Sequence, residues 1–123
     1  MSFKPLTAAS AVLLALSGVP GIVRGHAYPM IVVPPDGATL REPPREIRIQ
    51  FTESLEMEFS RIVVKTADGE IVSQGKLRRL ADDIVAVDLK PLRPGAYRVE
   101  WQVLSVDTHV TDGVLRFTVA PMK

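Results

Sequence analysis

Only two histidines occur in the 123 residues, His26 in VRGHAYPM and His109 in SVDTHVTDG, and Asp107 stands two residues before the second. In an extended segment, D-x-H spacing sends both side chains to one face, because successive side chains alternate. A carboxylate oxygen and an imidazole nitrogen are then presented together. His26 becomes a stronger ligand if it is the first residue of the chain, since the free α-amine and imidazole Nδ1 close a six-membered ring around one ion. The sum is three nitrogens and one oxygen. Such donors in a tetragonal plane suit Cu(II), one ion per chain, whereas tetrahedral zinc sites favour other sets. Plainer readings stand beside this one. A lone histidine near a terminus is commonly a surface residue, and Asp-x-His in a loop is commonly a hydrogen-bonded turn. The copper reading draws its force from conjunction: the only two histidines fall in the D-x-H motif and at a predicted cleavage point.

That cleavage point closes a leader. Lys4 precedes the apolar run PLTAASAVLLALSGVPGIV, and Val23 and Gly25 occupy the positions a signal peptidase inspects. Pro20 and Gly21 interrupt the run, which falls short of the roughly 20 apolar residues of a membrane span. Residues 1–25 are therefore expected to be a secretory signal, and 26–123 a single domain beginning with His26. Removal takes away Lys4 and Arg24 and no acid, which lowers the net charge from +1 to −1.

The elements that must position these residues are strands. Ile47, Ile49 and Phe51 alternate with polar residues in REIRIQF, as do Val85, Val87 and Leu89 in IVAVDL. Tyr97, Val99, Trp101 and Val103 repeat the pattern in YRVEWQV, and Leu115, Phe117 and Val119 in LRFTV. Turns are supplied by PPDG at 34–37, ADG at 67–69 and RPG at 93–95. ESLEMEF, at 53–59, is long enough only for a connecting turn or two. About seven short antiparallel strands, too many for one open sheet with a wet apolar face, predict an all-β, immunoglobulin-like Greek-key sandwich. The phase of Trp101 places it in the core. The absence of cysteine excludes disulfides and thiolate metal sites, and no basic cluster interleaved with aromatics points to nucleic acid.

The His-Ala opening, the P-x-D-G turn, the F-T-E after a strand, L-R-P-G-A-Y-R-V-E-W, S-V-D-T-H and the closing G-V-L-R-F-T-V together resemble the CopC family of periplasmic copper-binding proteins, along essentially the whole of 26–123. The resemblance implies a β-sandwich that binds Cu(II) through His26, Asp107 and His109. It implies that Glu53 lies behind the copper ligands and orients an imidazole through its other nitrogen. It also implies a monomer in the periplasm that cooperates with an inner-membrane protein of the CopD type in copper resistance, homeostasis or import. Some members also bind Cu(I) through a methionine-rich loop, whereas this chain has no methionine between Arg61 and Pro91.

Four protein donors leave no good open position for a substrate, which favours a carrier over an enzyme. Two other classes remain open on sequence. One is a copper oxidoreductase resembling the histidine-brace oxygenases, and the other is a metal-free sandwich scaffold, expected if the leader stays on.

Overall fold

Strands form where apolar and polar residues alternate, and the alternation fixes which face is buried. The computed structural model describes residues 26–122. Its strands are β1 Pro29–Val33, β2 Ala38–Leu40, β3 Glu46–Phe51, β4 Arg61–Thr66, β5 Ser73–Ala81, β6 Ile84–Leu89, β7 Gly95–Leu104 and β8 Val110–Val119. They form two four-stranded sheets, β1-β3-β6-β5 and β2-β8-β7-β4, whose inner faces make one core. The expected leader, residues 1–25, lies outside the described residues.

The core is the set of residues in phase. Ile47, Ile49 and Phe51 of β3, Val85, Val87 and Leu89 of β6, and Tyr97, Val99, Trp101 and Val103 of β7 are all buried, as are Phe117 and Val119 of β8. Trp101 joins the two sheets, meeting Phe51 edge to face at 5.6 Å between ring centroids. Its partner across the β7–β8 ladder is Gly113, where an added Cβ would lie 2.7 Å from the indole. The glycine is required for close approach. At the other end of the sandwich, Tyr97 stacks on Phe117 and its hydroxyl donates to the Arg93 carbonyl at 2.5 Å, a tyrosine corner. ESLEMEF contains a single 3₁₀ turn, Met57–Phe59.

The sandwich of about seven strands is present, and two details refine it. There are eight strands among the described residues, and β2 runs parallel to β8, with Ala38 opposite Phe117 and Leu40 opposite Val119. The PPDG turn is the cause. Gly37 takes φ 82°, its N–H donates to the Arg116 carbonyl at 2.7 Å, and Asp36 Oδ1 accepts the Arg116 N–H at 2.8 Å. The chain is thereby carried from β1 in one sheet to the edge of the other. β2 is only three residues long, too short to show a period. β5 was hidden for a different reason: it is a sheet edge, mostly exposed and rich in Lys and Arg, and it bends at Gly75, so no buried alternation marks it.

Candidate metal centre

Three segments meet at one end of the sandwich: residues 26–28, the loop that leaves β3, and the β7–β8 turn. β1 enters beside β3 with Pro29 opposite Phe51, which sets His26–Tyr28 alongside Thr52. The Thr52 hydroxyl accepts the Tyr28 N–H at 3.0 Å and donates to the His26 carbonyl at 3.2 Å. The Thr52 N–H donates to the Tyr28 carbonyl at 2.9 Å. Ala27 is fully buried in the core, and its carbonyl accepts the hydroxyl of buried Thr111 at 2.5 Å.

The β3 loop is bound just as closely to the turn. Leu55 bridges to Ser105, Glu56 N–H donates to the Leu104 carbonyl at 2.8 Å, and Val106 N–H donates to the Ser54 carbonyl at 3.0 Å. The β3 loop is thus tied to both other segments through main-chain hydrogen bonds, and residues 26–28 are held to the β7–β8 hairpin through the Thr111 hydroxyl.

The consequence is that the two histidines, 83 positions apart in the chain, face one another. Their ring centroids are 4.7 Å apart at an interplanar angle of 72°. Tyr28 adds a third ring, 6.3 Å from His26 and edge-on to it. His26 is half-buried and His109 exposed, so the pair opens to solvent.

The D-x-H motif does not lie in an extended segment as its spacing suggests. Residues 105–109 form the turn between β7 and β8: Ser105 N–H donates to the His109 carbonyl at 3.0 Å, Thr108 N–H to the Ser105 carbonyl at 2.9 Å, and His109 N–H to Ser105 Oγ at 3.3 Å. Thr108 takes φ 68°, a left-handed conformation that is costly for a β-branched residue. A chain that reverses within five residues cannot keep period two, so the spacing argument does not transfer to this turn. Asp107 is exposed within the turn, and Glu53 is half-buried next to Thr52. Among the described residues, no three His, Asp or Glu side chains converge as a ready-made metal cage. The histidine pair is the feature that the fold assembles; Asp107 lies two residues before His109 in the same turn, and Glu53 follows Thr52 in the loop after β3.

Thr52, Thr111 and Tyr28 were not legible as site residues. Threonine in F-T-E and in H-V-T-D-G is an ordinary strand residue by composition, and its role emerges only from what faces it across the sandwich. The clearly shifted carboxylates lie elsewhere, on the outer faces of the sheets. Arg78 beside Glu46 holds that carboxyl below the usual range, and Lys65 does the same for Glu100.

Comparison with known proteins shows the family and fold to which the chain is similar. A family model described as the CopC domain matches residues 32–120, a span that contains Glu53, Asp107 and His109. The chain is 33% identical over 110 residues to the copper transport protein CutJ of Bacillus subtilis, covering 87% of this chain but only 20% of that much longer protein. It is 29% identical over 114 residues to copper resistance protein C of Escherichia coli, covering 80% of this chain and 90% of the relative. The crystal structure of CopC from Methylosinus trichosporium OB3b superposes with a TM-score of 0.71 at 25% identity, covering 80% of this chain and 97% of the other. The methionine-rich copper resistance protein PcoC from Escherichia coli superposes with a TM-score of 0.69 at 27% identity, covering 76% and 98%.

Proposed function

The chain belongs to the CopC family, and from that premise we propose that it is a periplasmic Cu(II)-binding protein that carries or buffers copper in resistance, homeostasis or import. The observation that supports this reading most is the facing of His26 and His109, the chain's two histidines, at 4.7 Å between ring centroids on an open edge of the fold. Imidazole nitrogen suits copper, and two imidazoles on separate, mutually braced segments form the start of a chelate.

Signal removal after Gly25 converts His26 from an ordinary residue into a bidentate ligand. The α-amine and imidazole of His26 and the imidazole of His109 then supply three nitrogens. Asp107, on an exposed turn where its carboxylate is free to rotate, supplies the oxygen. Copper is the cargo here rather than a resident cofactor. A carrier gains from filling the metal's plane with protein donors, whereas an oxygen-activating enzyme needs part of that plane for substrate. Hard and borderline donors with no thioether in the set select Cu(II) over Cu(I), and the partner for release is a membrane copper protein of the CopD type.

The test is titration of the protein beginning at His26 with Cu(II), followed by electron paramagnetic resonance. One equivalent should bind, with a tetragonal spectrum carrying three nitrogen couplings, and the protein should fail to compete with a chelator for Cu(I). Two equivalents, sulfur ligation or turnover of a reductant with oxygen would contradict the reading.

A further inference from the structure

A chain terminus that has to serve as a chelate faces a difficulty, because the first residues of a domain fray unless they are tied down. Each freely rotating bond between the metal donors and the fold must be frozen on binding, and that cost is subtracted from affinity. In this molecule the three residues that begin the described chain are already fixed. Thr52 uses both capacities of its hydroxyl on them, accepting the Tyr28 N–H and donating to the His26 carbonyl. Thr111 donates to the Ala27 carbonyl, and the Ala27 side chain is completely buried. Thr111 belongs to β8 two residues after His109, so the strand that follows one histidine also holds the peptide next to the other.

We infer that Thr52 and Thr111 are positioning residues that preset the His26 end of the copper chelate and fix its distance from His109. The inference rests on the copper reading above and adds two residues to it, neither of which touches the metal. Thr111 performs the registration between the histidines; Thr52 suppresses rotation of the His26–Tyr28 segment. Replacing either by valine keeps the β-branched shape and removes only the hydroxyl, so the lost function is the hydrogen bond itself.

The experiment compares Thr52→Val, Thr111→Val, Thr111→Ser and, as control, Tyr97→Phe, which loses a buried hydrogen bond at the other end of the sandwich. In metal-free protein, amide hydrogen exchange at Tyr28 should accelerate in Thr52→Val, and exchange across residues 27–28 should accelerate in Thr111→Val. With Cu(II) as the probe, each valine variant should bind about five- to tenfold more weakly, a loss on the scale of one hydrogen bond. Thr111→Ser should return to within about twofold of the parent, and Tyr97→Phe should lower Tm while leaving Cu(II) affinity within about twofold. Valine variants that bind Cu(II) like the parent, or a Tyr97→Phe protein weakened as much as they are, would overturn the inference. The exchange arm decides independently of copper: a parent that binds no Cu(II) refutes the functional reading, and unaltered exchange in the valine variants refutes the clamp.

Discussion

His26, His109, Asp107 and Glu53 are not equivalent in this account, and their order is testable. The two imidazoles already lie ring to ring, Asp107 stands in the turn that carries His109, and Glu53 is assigned a supporting role by the family resemblance and sits half-buried in the loop after β3. His109→Ala removes half of the assembled pair and should weaken Cu(II) binding at least about tenfold. Asp107→Asn exchanges an anionic oxygen for a neutral one and should cost less than that, with a shift in the copper spectrum. Glu53→Gln, acting through an imidazole, should preserve the spectrum and lower affinity less than His109→Ala does, at or below the low end of the roughly 10- to 100-fold range of residues behind metal ligands. Isothermal titration of the three variants gives the ranking, and a Glu53→Gln loss larger than that of His109→Ala would reverse the assigned roles. The histidine pair stood out in the sequence because histidine is rare in the chain, whereas Glu53 entered only through the family resemblance. The threonines were not legible, since nothing in a threonine's neighbours along the chain announces a carbonyl that approaches from 84 positions away.

At the scale of elements, the β7–β8 hairpin is the part on which both core and site depend. Its ladder runs from Gly95 opposite Val119 to Leu104 opposite Val110, and the turn beyond carries Asp107 and His109. Gly113 sits inside that ladder against the Trp101 indole, which is buried and held edge to face by Phe51 of the other sheet. Gly113→Ala is therefore expected to destabilise the protein by about 1–3 kcal/mol through overpacking, and to lower Tm by roughly 5–15 °C for a domain of about 100 residues. Thermal unfolding followed by tryptophan fluorescence checks both the cost and its location; an unchanged Tm would mean that the indole moves freely. The strands β3, β6, β7 and β8 were readable from sequence because their large apolar residues alternate toward the core. β1, β2 and β5 are sheet edges, and their pattern is set by which neighbours they lack. The Asp-x-His spacing predicts a same-face pair in an extended segment, and the structure bears out the plainer reading of a hydrogen-bonded turn: the reversal at Thr108 is demanded by the hairpin on either side.

At the scale of the whole molecule, the sandwich works as a device that brings the beginning of the folded chain to its last hairpin. Alternation predicts two sheets and one core, and these are present; it says nothing about which loops share an end. That follows from β1 pairing with β3 while the β3 loop is bridged to β7 at Leu55 and Ser105. His26 reaches His109 by this route, and its α-amine becomes a donor only if residues 1–25 have been removed. The central claim is thus about the terminus. The direct measurement is Cu(II) affinity, with paramagnetic resonance spectra, for protein that starts at His26 and for the same protein with one methionine added before it. The account predicts that the added residue, by turning the amine into an amide, weakens binding at least tenfold, or about 1.4 kcal/mol or more, with loss of one nitrogen coupling and an unchanged fold. Equal affinity and identical spectra for the two proteins would contradict it.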